Sequence, residues 1–434
     1  MPSDFLPSSH RTTRRRFLRR AGATAAGLAM GTPLLMPGSA VGLGRPAPSE
    51  RVTVGFIGVG WKGLRGCYGA LVPDFLRNPV CQALAVCDVN GRFRAAAKAT
   101  IDKLQGGNGC REYVDFRELV ARPDVDAVVI ATPPHWHAVQ TIHACRQGKD
   151  VYCEKPLSLT VREARAMVEA ARRHGRVVQT GSQSRSYQTI RLGVELIRSG
   201  RIGRVKRINA GCGGPPGPCS LPAEPAPDYI DWDLWLGPAP WRPYNGRLAS
   251  VEWRPYRDYD GGGVTDWGCH HFDIGQWALG MDHSGPVEIS LDPHAIFHYA
   301  DGVEMHHAGA DVEFIGTEGK ITLHGMSPRI TAQPERLARD PILPQDQVAD
   351  DDETTSARDE PQCHTDNFLA CVRSRRHPRA DVEIGCRTAT VSHLANIAYG
   401  LGRAIKWDPL REQIVGDEEA GRWLDRARRE PWTI

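Results

Sequence analysis

The sequence predicts an α/β chain of two domains, a parallel sheet wound with helices followed by a second α/β segment. Three observations predict it. An apolar strand, Val52 to Ile57, runs into the glycine turn Gly58-Val59-Gly60-Trp61-Lys62-Gly63 and then a helix. Short apolar runs alternate with amphipathic stretches as far as Gly181, as a doubly covered parallel sheet requires. After Gly181 this rhythm gives way to Gly/Pro/Trp-rich chain and brief strand-like alternations. The expected boundaries are a leader over residues 1–40, a linker over 41–50, a first domain over 51–181 and a second over 182–434.

The elements follow in order. After β-forming Val52 to Ile57 and the glycine turn, Leu64 to Leu76 can form the first helix, and Ala83 to Cys87 is the second strand. A helix from about Arg92 to Leu104 leads to the strand Val125 to Ala131, whose Val128-Val129-Ile130 is apolar on both faces. His135 to Gln147 is helical, and Val151 to Cys153 is a short strand. Thr160-Val161-Arg162-Glu163 is a capping box that opens a helix with Ala164, Met167, Val168 and Ala171 on one face. Val177 to Thr180 closes the first sheet. In the second segment a helix (Thr189 to Arg198) and a strand (Arg204 to Ala210) precede an ordered loop system from Gly211 to Tyr259. Strands are expected at Val287 to Ile289, Ala295 to Tyr299, Ala310 to Ile315 and Lys320 to His324. Residues 327–362 read as a solvated surface excursion, and helices over Thr365 to Arg373 and Ala389 to Ala404 end the chain.

The leader carries its own message. Arginines cluster from Arg11 to Arg20, around Thr13-Arg14-Arg15-Arg16-Phe17-Leu18-Arg19, and a mild apolar run from Ala21 to Met36 leads to Gly38-Ser39-Ala40. This is the form of a twin-arginine export signal, which implies the export machinery as a partner and a periplasmic or otherwise exported destination. The apolar run is too short and too weak for a stable membrane span. Six arginines and one acid lie in residues 1–40, which leaves a net −2 for the remainder of a +3 chain. The rest of the chain therefore makes no electrostatic case for nucleic acid or an anionic membrane. Twelve cysteines are scattered without framework spacing, and no Cys-x-x-Cys occurs, so neither a disulfide scaffold nor a zinc ribbon is expected.

Four constellations carry chemistry. In Gly58-x-Gly60-x-x-Gly63 the first glycine allows a sharp turn, the second lets a pyrophosphate approach the backbone, and the third lets helix and strand pack, with Trp61 and Lys62 on the same turn. Asp88 ends the second strand, where a carboxylate accepts hydrogen bonds from an adenosine ribose and repels a 2′-phosphate. That favours NAD over NADP, with Arg92 nearby as the feature that leaves room for NADP. Thr132 and Pro133, after the third strand, are expected to contact the cofactor through their backbones. His135 and His137 beside them either cap that turn or join the cofactor edge. Glu154-Lys155-Pro156 follows the next strand at the carboxyl edge of the sheet, where a lysine can hold a hydroxyl and relay its proton. Finally, Asp266, His270 and Asp273 stand at i, i+4 and i+7, one helix face, so that the carboxylate can brace the imidazole as a base. A metal site that adds His271 is the rival reading, but His271 points about 100° from His270, and no metal is expected.

Together these motifs resemble the Gfo/Idh/MocA oxidoreductase family from Val52 to about Pro409. The resemblance implies an N-terminal Rossmann domain, a C-terminal α/β domain with an open, mostly antiparallel sheet, and a substrate held between them. It also implies oxidation of sugars, polyols or their derivatives, with Lys155 and His270 handling the proton and Asp266 assisting. Gln183, Arg185 and Asp273 become expected substrate contacts, and association of copies through the open sheet is expected. Two other outcomes stay open: glycoside cleavage through transient oxidation of a ring carbon, and sugar binding without catalysis. Departures from the family pattern are the doubled His270-His271, Trp267 in place of a small aliphatic residue, residues 327–362, and the loop carrying Trp232, Trp235, Trp241 and Trp253. Those tryptophans either stack on sugar faces or form the loop's own core.

Overall fold

Residues 46–65, 70–324, 329–338 and 362–434 are described by a computed structural model. The arginine-rich leader, residues 41–45 of the linker, and residues 66–69, 325–328 and 339–361 lie outside them. Six parallel strands form the first sheet: β1 (Val52–Ile57), β2 (Cys81–Cys87), β3 (Arg111–Tyr113), β4 (Ala127–Ile130), β5 (Asp150–Cys153) and β6 (Val178–Thr180). Their order is β3-β2-β1-β4-β5-β6, which reverses between β1 and β4. In such sheets a crevice opens beyond the strand ends at the reversal. Every residue of β4 and β5 is buried, because helices cover both faces.

The second sheet has nine strands: β7 (Val205–Ala210), β8 (Glu288–Leu291), β9 (Ala295–His298), β10 (Glu304–His306), β11 (Val312–Gly316), β12 (Lys320–Leu323), β13 (Ile330–Gln333), β14 (Ile405–Asp408) and β15 (Gln413–Ile414). The order is β13-β12-β11-β7-β10-β9-β8-β14-β15, and every pairing is antiparallel except β7 with β10. Burial alternates along β9 and β12, so one face of the sheet is packed and the other is open. Helices Gln188–Arg198, Gly268–Ala278 and Val382–Leu401 cover the packed face through Ile190, Phe272 and Leu394.

The expected boundary at 181/182 separates the sheets but not the packing. Helix Val382–Leu401 places Cys386 and Ala389 in the core of the first sheet and Val391 and Leu394 in that of the second. Helix Gln362–Ser374 contributes Phe368 and Leu369 to the first sheet's other core. Residues from Glu50 onward accordingly form one compact unit.

Several elements differ from their expected form. The first helix is not one run over Leu64 to Leu76: among the described residues it is a turn at Trp61–Leu64 and a helix at Leu71–Arg77. Strands β3, β10 and β15 carry only two or three residues, too few to show periodicity, and with β14 they exist because a neighbouring strand offers its edge. The front of the 327–362 excursion is sheet rather than solvated loop, since β13 pairs with β12 and a short turn follows with Leu337 buried. The capping box forms with a shift: Thr160 Oγ1 accepts from the N–H of Glu163, while Glu163 accepts from the N–H of Leu159, one residue before the cap. The eleven cysteines among the described residues are free thiols. No helix among the described residues is long and apolar enough to cross a membrane.

Candidate active site

The glycine turn is shaped by what lies opposite it. Gly58 has φ +78°, and a Cβ there would stand 2.6 Å from the backbone nitrogen of Thr132. Only glycine permits both the angle and this approach of the β1 turn to the β4 turn. Gly60 precedes the Trp61–Leu64 helical turn, whose N-terminal N–H groups receive no side-chain cap. Asp88 holds the turn from the side, with Oδ2 accepting from the N–H of Val59 at 2.8 Å and Oδ1 from that of Asn90 at 2.8 Å. Burial pushes its carboxyl up to about 6. The donors, the acid and the space that glycine leaves fit a dinucleotide.

Both arginines near Asp88 are already engaged. Arg92 stacks on the ring of Tyr229 at 3.7 Å, and Arg94 donates to the main-chain carbonyl of Asp88 at 2.7 Å. The crevice is walled on one side by Gly58, Gly60, Trp61, Asp88, Thr132 and Pro133, and on the other by the tryptophan-rich loop. In that loop Trp232 and Trp235 stack on each other at 4.6 Å and pack with Tyr244 and Tyr259, which is the loop-core arrangement. Trp241 is exposed, and Trp253 lines the crevice.

Two turns meet at His137. Its ring lies between the carbonyls of Thr132, 2.7 Å from Nε2, and Pro156, 2.8 Å from Nδ1. Burial lowers its pKa, so the neutral ring donates one hydrogen bond and touches the second carbonyl. It thereby ties the cofactor turn to the Glu154-Lys155-Pro156 turn. Glu154 is buried beside Gly181, where a Cβ would come within 2.9 Å of the carboxylate. It accepts from Gln183 Nε2 at 2.9 Å and faces Lys62 at 3.8 Å. Gln183 also reaches the Tyr152 hydroxyl at 3.1 Å, so it braces Glu154.

Lys155 reaches the second segment. Its ammonium donates to Asp266 Oδ1 at 2.5 Å and to the Asp266 carbonyl at 2.9 Å. Burial works against both charges, but each outweighs it for the other: the Lys155 pKa is raised and the Asp266 pKa lowered. Arg254, stacked on Trp253 at 4.6 Å, adds a second cation 3.6 Å from Asp266. Beside them His270 is buried, and burial with the Lys155 charge drives its pKa well below the ordinary range. Its Nδ1 makes no hydrogen bond. A neutral imidazole beside an ammonium can take a proton from a hydroxyl that the ammonium holds.

The single helix face expected for Asp266, His270 and Asp273 is interrupted. The helix breaks at Trp267 between Gly262–Asp266 and Gly268–Ala278. Asp266 turns to Lys155, so it does not brace His270 by a hydrogen bond. Asp273 faces inward, where Arg185 grips it at 2.8 Å and Thr388 donates to it at 2.7 Å. Arg185 also binds Asp282 at 2.7 Å and is only 2% exposed. Arg185 and Asp273 thus form a buried clamp, a placement unlike that of substrate contacts, because each uses its polar atoms on the other. His271 turns away to the carbonyl of Gly211.

Sequence reasoning missed Arg254 and Asp260. Arg254 follows one of the noted tryptophans, but no spacing marked it. Asp260 is buried, with Oδ1 accepting from Gly261 N–H at 2.8 Å and Oδ2 unpartnered, and burial with the nearby Asp266 charge pushes its carboxyl up to about 7. Its place directly before Gly261-Gly262-Gly263 was the available signal.

Comparison with known proteins agrees with this geometry. Residues 52–182 match the oxidoreductase family, NAD-binding Rossmann fold, and residues 216–434 match the oxidoreductase family, C-terminal alpha/beta domain. A glycosyl hydrolase family 109 protein 1 of Shewanella sp. (strain MR-4) is 34% identical over 181 residues, covering 38% of this chain and 38% of that protein. A 1,5-anhydro-D-fructose reductase of Ensifer adhaerens is 44% identical over 111 residues, covering 26% of this chain and 32% of that protein. The alignments thus span about a third of the length of these curated relatives. Aldose-aldose oxidoreductase from Caulobacter crescentus, complexed with glycerol, shares the fold with a TM-score of 0.59 at 20% identity, over 82% of this chain and 99% of that one. With both halves matched in order and the two sheets built as the family requires, the chain belongs to the Gfo/Idh/MocA oxidoreductase family.

Proposed function

We propose that the chain is an exported oxidoreductase that moves a hydride between a secondary hydroxyl of a sugar, polyol or glycoside and a tightly held nicotinamide cofactor recycled in place. The observation that carries this reading is the meeting of Lys155, Asp266 and neutral His270 beside the dinucleotide crevice. When bound, the nicotinamide accepts or returns the hydride. The Lys155 ammonium holds the substrate oxygen and favours its developing negative charge, and Asp266 fixes that ammonium in place. His270 takes the hydroxyl proton on its neutral imidazole ring. Loop residues Trp235 and Trp253 narrow the crevice against water. NAD is favoured over NADP, because Asp88 faces the ribose position while Arg92 is stacked on Tyr229 and Arg94 is held on the Asp88 main-chain carbonyl. Export rests on the twin-arginine pattern at Thr13 to Arg19, and a cofactor sent out with the folded chain has no free pool to exchange with. Association of copies through the open sheet face belongs to the same reading.

Incubating purified protein with a panel of sugars and following nicotinamide absorbance near a single turnover tests it. Bound nucleotide and reduction by one sugar class are expected; absence of both overturns it. A second reading, glycoside cleavage through transient oxidation, is favoured by the similarity to a glycosyl hydrolase family 109 protein. With a deuterated glycoside, cleavage that retains deuterium at the oxidised carbon supports it, and a stable keto product argues against it. Binding without catalysis fits poorly with an intact Lys155, Asp266 and His270.

A further inference from the structure

The wall of the crevice that comes from the second segment is fastened at both sides of the adenosine position. The turn that carries Asp88 is joined to it by two backbone hydrogen bonds, Gly91 N–H to the Tyr229 carbonyl at 2.7 Å and Asp231 N–H to the Val89 carbonyl at 3.0 Å. They form a short antiparallel bridge between Asn90 and Ile230. Arg92 then lies over the Tyr229 ring. Across the crevice the β4 turn holds the same segment: Trp136 Nε1 donates to the carbonyls of Leu234 and Trp235, each at 3.1 Å, and His135 Nε2 donates to that of Trp235 at 3.0 Å. Burial lowers the His135 pKa to about 3, so its ring stays neutral and serves as a tie rather than a titrating group. The chain end adds a third fastening, Arg429 Nε to the Gly237 carbonyl at 2.9 Å. Between these ties, Ile230, Leu234, Trp235 and Val251 face Asp88 and Thr132 across the crevice.

We propose that residues 229–254 are a cofactor-binding element, a strap that clasps the adenosine half of a nicotinamide dinucleotide and makes its release slow. The inference rests on the cofactor reading above and names the segment that enforces retention. A Rossmann crevice by itself leaves the adenine edge open along the strand ends. Here the strap runs from the carboxyl end of β2 to that of β4, so the adenosine cannot leave without loosening one of its fastenings. The strap keeps its shape meanwhile, because the stacked Trp232 and Trp235 give it a core of its own.

The test is the rate of NADH release, followed by fluorescence after mixing loaded protein with excess NAD, in the full chain and in Arg92→Ala and Tyr229→Ala. Loss of one stacked cation–ring contact is expected to speed release about fivefold. The double variant should release no faster than either single one, because both remove the same contact. Arg92 lies on an exposed face, so its substitution leaves the fold intact. Hydrogen exchange on the unaltered chain gives a second readout: the Gly91 and Asp231 amides should become more protected when NADH is added. Wild-type release rates in both folded variants, or amide protection that NADH does not change, overturn the strap while leaving the cofactor reading in place. An unaltered protein that binds no NADH overturns both.

Discussion

The ammonium of Lys155 is shared between the carboxylate of Asp266, 2.5 Å away, and the main-chain carbonyl of the same residue, 2.9 Å away. One residue follows β5 by two positions and the other ends the helical turn Gly262–Asp266, so each segment supplies half of the pair. The pairing keeps both groups charged and leaves His270 neutral beside them. Proton acceptance and oxygen binding thus fall to different side chains.

Lys155→Ala and Asp266→Asn should each lower single-turnover reduction of the cofactor by ~10²–10⁴. NADH affinity, measured by fluorescence titration, should change little, because the crevice walls around Asp88 and Thr132 are untouched. Equal losses in affinity and rate would show that the pair organises the crevice rather than the chemistry.

His270 should already be neutral at pH 6.5, because burial and the Lys155 charge hold its pKa well below that range. With the cofactor already bound, the single-turnover profile should therefore run flat through pH 6.5, with an acid limb only further down. His270→Asn should remove that limb together with most of the turnover. A limb centred near 6.5 in the unaltered enzyme would contradict the assignment.

Asp88 gives a pH dependence of opposite origin. Burial raises its carboxyl to about 6, so in the free protein it is protonated below that pH, whereas ribose hydroxyls donate best to the ionised form. NAD affinity should be full above about pH 6 and weaken as pH falls through it, as isothermal titration would show. Asp88→Ala should narrow the preference for NAD over NADP by roughly tenfold or more, since the charge that repels a 2′-phosphate is gone.

Asp260 should destabilise the fold at alkaline pH. Its folded pKa of about 7 lies above the ordinary 3.8, so the folded chain binds the extra proton and loses stability as pH rises through that window. Asp260→Asn should then raise the melting temperature at pH 8 more than at pH 4. An equal shift at both would show that the carboxyl does not titrate there.

The Arg185–Asp273 clamp is expected to act on stability. Arg185→Ala leaves a buried carboxylate uncompensated and should cost roughly 3–5 kcal/mol by denaturant unfolding. A rise in KM at unchanged stability would restore a substrate-binding role.

What the sequence determined by itself is local. Gly58, the acid that ends β2 and the Thr160 cap each need only their immediate neighbours to define a turn, a strand end or a helix start, and all were legible. The apolar runs of β4 and β5 likewise announce a covered sheet, because no other place tolerates them. Tertiary structure decided every question of partnership. Spacing put Asp266 with His270, yet the carboxylate went to Lys155, 111 residues earlier, because a half-buried ammonium and a half-buried carboxylate each need the other more than a neutral imidazole needs either. Arg185 and Asp273 looked available for substrate until the fold pressed them together. The tryptophan-rich loop had no periodicity to read, since its shape comes from Trp232, Trp235 and Tyr244 packing on one another and from carbonyls that meet His135 and Trp136. Local motifs announce what a backbone can do, whereas the pairing of buried charges is settled only when distant segments share one interior.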